Sequence, residues 1–172
     1  MSRIYNSELE LRQQILKGIN KLADNVASTL GPGGRNVILK QKNKNPIITK
    51  DGVTVAKFVE LKDPFEDLGA QIVKQVSLQT NDDAGDGTTT ATVLARALFE
   101  QAMQALISDI SPIEIKKGME KATSIIVENL QSEARSIRSK DDIVHIATVS
   151  ANGDEAIGNL IAIAVDQIGK DG

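Results

Sequence analysis

Ala84-Gly85-Asp86-Gly87-Thr88-Thr89-Thr90-Ala91-Thr92-Val93 lies between two helical patterns and reads as a phosphate-binding turn. Gly85 and Gly87 let the backbone adopt conformations closed to other residues and let a ligand come close. Thr88 to Thr90 place three hydroxyls and their N–H groups at a helix start, where a polyphosphate fits. The helix terminus alone offers a charge only about 0.3–1 kcal/mol, or up to ~2 kcal/mol when partly buried, so the hydroxyls and a metal must add the rest. Asp86 suits Mg²⁺, which commonly binds one or two carboxylates together with phosphate oxygens and water. The competing reading makes Asp86 an N-cap and the threonines turn residues.

Outward from this turn, no Gly-x-x-x-x-Gly-Lys-Ser/Thr sequence occurs, so the P-loop reading fails at its defining lysine. Two other segments end an element in a tight turn and could complete a different kind of nucleotide site. They are Thr29-Leu30-Gly31-Pro32-Gly33-Gly34-Arg35-Asn36 and Ile48-Thr49-Lys50-Asp51-Gly52. On composition alone, Lys50 is a solvated hairpin lysine and Asp51 a turn residue before Gly52.

The surrounding pattern is mainly helical. Ser7 with Glu10 forms a capping box, and Ile15, Ile19, Leu22 and Val26 mark one helix face before Gly31-Pro32 ends it. Asn36 to Leu39 and Pro46 to Thr49 read as two short strands of a hairpin around Gln41 to Asn45. A short helix follows near Val53 to Val59. Three further starts pair a cap with an acidic residue three places on: Asp63 with Glu66, Ser111 with Glu114, and Asn152 with Glu155. Pro64 and Pro112 occupy first helical positions, which predicts long helices near 64–84 and 112–134. Phe65, Leu68, Ile72 and Val76 form one expected core stripe, and Ile115, Met119, Ala122, Ile126 and Leu130 the other. The polar stretch Ser132 to Asp142 is the expected boundary between structural units.

Composition agrees with an α-rich fold of one domain, or one and part of another. The 172 residues are 41% hydrophobic but only 2% aromatic, so the core must come from Ala, Leu, Ile and Val. A formal charge of -3, from 20 basic and 23 acidic side chains without a basic block, argues against nucleic acid as a partner. Without cysteine there is no disulfide framework and no thiol nucleophile. No apolar run reaches membrane-spanning length, and Met1 to Asn6 has no signal-peptide character, so a soluble, cytoplasmic protein with no membrane partner is expected. His145, the only histidine, has no Ser or Asp arranged for nucleophilic catalysis and reads as structural. Gly169-Lys170-Asp171-Gly172 is a turn-like ending unusual for a full-length chain.

The three turn segments, in this order and spacing, resemble the nucleotide-site motifs of GroEL-type (group I) chaperonins. Asn81-Asp82, Gly69-Ala70-Gln71 and Val149-Ser150-Ala151-Asn152 join them, and the resemblance runs from about residue 8 to Gly172. Two positions depart from the family pattern: Gly33 stands where lysine is usual, and Gly153 where serine is common.

The resemblance implies that Thr29, Leu30, Gly31 and Pro32 lie against ATP and that Lys50 lies near its phosphates. It implies that Asp86 ligates Mg²⁺, that Gly87, Thr88, Thr89 and Thr90 form the phosphate loop, and that Asp51 assists hydrolysis as the catalytic carboxylate. A K⁺ ion at the phosphates is a family feature as well. Residues 1–132 would then be the amino-terminal half of an equatorial ATP-binding domain carrying the small hairpin. Residues 133–172 would start an intermediate domain, with no apical domain in the sequence. The implied function is ATP-dependent assistance of protein folding by a homo-oligomeric ring, with unfolded polypeptides and a co-chaperonin lid as partners. The alternative is a non-catalytic truncated fragment that only associates with other chaperonin subunits.

Overall fold

The computed structural model describes residues 8–169. The four-three-four spacing of Ile15, Ile19, Leu22 and Val26 does set one face of a helix, α1 (Glu8–Ala27), against a core. A hairpin follows, with β1 (Val37–Leu39) antiparallel to β2 (Ile47–Thr49) and Ile38 opposite Ile48. Then come α2 (Gly52–Phe58), α3 (Pro64–Ala84), α4 (Thr88–Ile107), α5 (Pro112–Glu133), α6 (Lys140–Ser150) and α7 (Glu155–Ile168). The expectation of a mainly α fold with one small hairpin is met. The capping box expected at Ser7 lies outside the described residues.

The chain forms two compact units that divide between Ile115 and Lys116, within α5. In the first unit, α1 gives Ile19, Leu22 and Val26 to the core, α2 gives Val55 and Ala56, and α3 gives Ala70 and Val73. Val37, Leu61 and Phe99 pack against this cluster from its edges. In the second unit, α6 packs on α7. Gly158 permits that approach, since a Cβ there would lie 2.0 Å from Thr148 Oγ1.

α1 and α3 meet backbone to backbone. A Cβ on Gly18 would lie 1.7 Å from the Glu66 carbonyl oxygen, and one on Gly69 would lie 2.0 Å from that of Ile15. The buried side of α3 is therefore Glu66, Gly69, Ala70, Val73 and Ser77, mostly small residues. This corrects the expected stripe of Phe65, Leu68, Ile72 and Val76, in which Leu68 is 52% and Ile72 46% exposed. Hydrophobic spacing marks the bulkier face, whereas close helix contact selects the smaller one.

α5 needs the same correction. It has no buried residue, with Ile126 56% and Leu130 63% exposed, so its periodic stripe is a surface face of the described chain. α7 also starts differently from expectation. Asp154, not Asn152, is its N-cap, accepting from Ala156 N–H at 3.0 Å and Ile157 N–H at 3.1 Å. Asn152 (φ 57°) and Gly153 (φ 90°) instead end α6 in the left-handed region, with Gly153 N–H donating to the Thr148 carbonyl at 2.8 Å.

The capping box expected of Asp63 and Glu66 is only half formed. Asp63 caps α3 through Phe65 N–H and Glu66 N–H, both at 2.9 Å. The Glu66 side chain turns to α1 and pairs with Lys17 at 2.7 Å and with Lys21. Hydrogen bonds from Lys17 and then Lys21 hold the Glu66 carboxyl below its ordinary range, and Glu66 holds the Lys17 ammonium above its own. A carboxyl with a depressed folded-state pKa stabilises above its unfolded pKa and loses that contribution as pH falls through the folded one. Lys17, shifted upward, stabilises below its unfolded pKa and loses it as pH rises through the folded value. Glu66→Gln is therefore expected to flatten the acid limb of the stability profile below about pH 4.5, read from urea midpoints against pH. An unchanged acid limb would show that the pair adds nothing to folding.

Candidate nucleotide-binding site

The three turn segments converge on Thr89. At the end of α1, Thr29 is buried and its Oγ1 donates to the Val26 carbonyl at 2.7 Å, continuing the helix by a side-chain bond. That Oγ1 lies 3.5 Å from Thr89 Oγ1 in the first turn of α4. From the third segment, a Cβ on Gly52 would lie 2.1 Å from Thr89 Oγ1 and 3.2 Å from Val26 Cγ1. Any larger residue there would have to displace the Thr89 side chain.

Each segment is fixed locally. Gly31 takes φ 65°, Gly34 N–H donates to the Gly31 carbonyl at 3.0 Å, and Arg35 N–H closes on the Ser28 carbonyl at 2.8 Å. A Cβ on Gly34 would lie 2.2 Å from the Thr29 carbonyl oxygen, so glycine is required there as well. Nothing approaches a Cβ on Gly33 within 4 Å, so the lysine usual in the family would meet no obstacle. Leu30, Gly31 and Pro32 are exposed beside buried Thr29.

Asp51 is the N-cap of α2. It accepts from Val53 N–H at 3.3 Å, from Thr54 N–H at 3.0 Å and from the Thr54 hydroxyl at 2.5 Å, while its own N–H donates to Thr49 Oγ1 at 3.0 Å. The carboxylate is thus oriented by the helix it starts, yet it is exposed. Lys50, half-buried beside it, makes no ion pair among the described residues.

The glycine-threonine turn also differs from the capping alternative. Gly87 (φ 79°), not Asp86, is the N-cap of α4, and no side chain caps this helix. Asp86 is exposed, and one of its oxygens accepts from Gly87 N–H at 2.6 Å. The first intrahelical bond runs from Ala91 N–H to the Gly87 carbonyl, leaving the N–H groups of Thr88, Thr89 and Thr90 ahead of it. Thr88 is buried, Thr89 half-buried and Thr90 exposed, and open space surrounds the position of a Cβ on Gly85 and on Gly87. The start of α4 thus has open space beside both glycines of the turn and no side-chain cap.

Among the described residues, no group of three or more His, Cys, Asp or Glu could hold a metal ion by itself. A divalent cation would need phosphate oxygens and water in addition to Asp86, a donor set that suits Mg²⁺. Gly34 and Gly52 stand inside the two flanking turn segments, but the sequence does not mark either as a point of close contact, and Thr54 lies outside those segments. The Asp51-Gly52-Val53-Thr54 string carried a signal for Thr54, an acid and a hydroxyl one helical turn apart, but nothing local marked Gly52 as facing Thr89.

Residues 22–172 match the model of the TCP-1/cpn60 chaperonin family. The chain belongs to the TCP-1/cpn60 chaperonin family. This chaperonin chain is 49% identical over 163 residues to the mitochondrial chaperonin HSP60 of Trypanosoma cruzi, covering 95% of itself and 29% of that protein. The GroEL-type assignment is compatible with that identity. Among solved structures, the chaperonin resembles gp146 from the Pseudomonas aeruginosa bacteriophage EL, crystallised with ATP-BeFx, at TM-score 0.76 and 26% identity. That match covers 93% of this chain and 28% of the other. A group III chaperonin in the open state superposes at TM-score 0.77 and 25% identity, over 95% of this chain and 34% of that one. The chaperonin thus spans about a third of the length of the relatives it matches.

Proposed function

We propose that this chain is the nucleotide-handling part of an ATP-dependent chaperonin subunit that assists protein folding. The observation that carries the reading is the meeting of three separate turn segments at Thr89, beside a helix start with no side-chain cap. In this reading the N–H groups and hydroxyls of Thr88, Thr89 and Thr90, with Gly87, hold phosphate oxygens, while Thr29, Leu30, Gly31 and Pro32 border the rest of the nucleotide. Lys50 neutralises phosphate charge. Asp86 holds Mg²⁺, which when bound neutralises charge on the phosphates, and K⁺ is a further candidate there. Asp51 acts on the water that attacks the γ-phosphate, kept in orientation by Thr54.

By the same reading, residues 1–132 form half of an equatorial domain and 133–172 begin an intermediate domain. The partners proposed are further subunits in a ring, unfolded polypeptides and a co-chaperonin lid, and the proposed location is the cytoplasm.

Variants at the adjoining Lys50 and Asp51 test the division of roles in an active subunit carrying this sequence. Lys50→Ala is expected to weaken ATP binding, because it removes phosphate neutralisation from both ground and transition states. Asp51→Asn is the sharper variant, since asparagine caps a helix about as well as aspartate but carries no charge. It should lower the hydrolysis rate on the order of a hundredfold with binding largely kept. Asp51→Ala should additionally cost about 1 kcal/mol of stability from the lost cap. Normal turnover by Asp51→Asn would reduce Asp51 to a helix cap and remove the proposed catalytic role.

A further inference from the structure

Between residues 134–139 and α6, Arg135, Ile137, Arg138, Asp142, His145 and Ile146 line a groove of about 590 Å³. That volume is within the range of roughly 300–1,000 Å³ typical of ligand sites. Its one acidic group is engaged internally. Asp142 accepts from Arg138 N–H at 2.9 Å and Ser139 N–H at 3.0 Å, and its own N–H donates to Ser139 Oγ at 3.2 Å, which closes the capping box of α6. The guanidinium groups of Arg135 and Arg138 make no ion pair among the described residues, and neither does His145, although nearby Lys140 pairs with Asp166 at 3.2 Å. All three cationic or titratable side chains are exposed, as are Ile137 and Ile146 in the same groove.

We propose that this groove binds an acidic peptide segment that also carries apolar side chains. The planar fork of arginine matches a carboxylate with two parallel hydrogen bonds, and two such forks stand three residues apart at one wall. Ile137 and Ile146 add apolar surface that a peptide side chain can cover and that inorganic phosphate would leave in water. The α6 terminus is already satisfied by its own capping box, so side-chain charge rather than backbone N–H groups selects the ligand.

His145 is the only histidine in the sequence, so its ring NMR signals report on this groove without overlap from another histidine. The full 172-residue chain would be titrated with a capped peptide of alternating glutamate and leucine, with its glutamine counterpart, and with inorganic phosphate. The acidic peptide is expected to shift the His145 signals to saturation, and the glutamine peptide to bind at least tenfold more weakly. Arg135→Ala combined with Arg138→Ala should weaken the acidic peptide at least tenfold at unchanged helicity. Arg135→Lys with Arg138→Lys keeps the charge but not the forks, and should weaken it severalfold. The proposal is overturned by an absent saturable shift, by affinity unchanged in either double variant, or by phosphate alone producing the same saturated shift.

Discussion

Asp86→Ala is expected to abolish Mg²⁺-dependent ATP hydrolysis by a subunit carrying this sequence, with a fall of at least about a hundredfold, the usual scale for removing one electrostatic stabiliser of a transition state. Asp86 is the only carboxylate within the glycine-threonine turn, and no larger acidic cluster among the described residues could replace it as a ligand. Because Gly87 rather than Asp86 caps α4, the substitution should leave the helix start in place, and circular dichroism should be unchanged. Asp86 also accepts a hydrogen bond from Gly87 N–H, so the loop itself could loosen in the alanine variant. Asp86→Asn separates the two effects, since its amide oxygen can keep that bond while the charge is lost. Both variants should be inactive if the metal reading is right. A fully active Asp86→Asn, assayed by phosphate release, would leave Asp86 with a loop-holding role only.

The largest stability effect is expected at the contact of α1 with α3. Alanine at Gly18 or Gly69 gains about 0.8–1 kcal/mol in helix propensity. The added carbon, however, would stand 1.7 Å from the Glu66 carbonyl oxygen in the first case and 2.0 Å from the Ile15 carbonyl oxygen in the second. Backbone atoms cannot swing aside as a side chain does, so the helices must separate, and overpacking of this kind costs about 1–3 kcal/mol or more. Separation would also pull Glu66 from Lys17 and Lys21 and loosen Ala70 and Val73 in the core. The clash should win, with a net loss of about 2 kcal/mol for either variant from a total of about 5–15 kcal/mol. Gly118→Ala in α5 is the control, as nothing lies within 4 Å of its added carbon, and it should gain up to about 1 kcal/mol. Urea denaturation of the three variants checks this, and a stabilised Gly18→Ala would disprove the tight contact.

What could be read from the residues, and what could not, follows from the range of each interaction. The start of α3 was legible because Asp63-Pro64 acts within one turn, and α1 because its apolar spacing is strong. The cap of α7 is ambiguous in the sequence because Asn152 and Asp154 both suit helix starts. The left-handed backbone at Asn152 and Gly153 decides between them. The buried face of α3 is hidden from the sequence for a different reason. Nothing near Leu68 or Ile72 tells that the neighbouring helix approaches close enough to demand Gly69. Of the candidate site, the segments are legible as motifs, but their meeting at Thr89 depends on Thr29 and Gly52, residues far from Thr89 along the chain.

The missing side-chain cap of α4 has a thermodynamic corollary. An anion held at Thr88 to Thr90 would itself terminate the helix, so ordering of that first turn and ligand binding become one linked equilibrium. Occupancy at a hundred times the dissociation constant would add about 2.7 kcal/mol to stability, and any change that frays the turn would weaken the ligand by the same free energy. Since Thr89 touches both Thr29 and the start of α2, the ligand's presence would be felt at the ends of three helices at once, and amide exchange there would slow together.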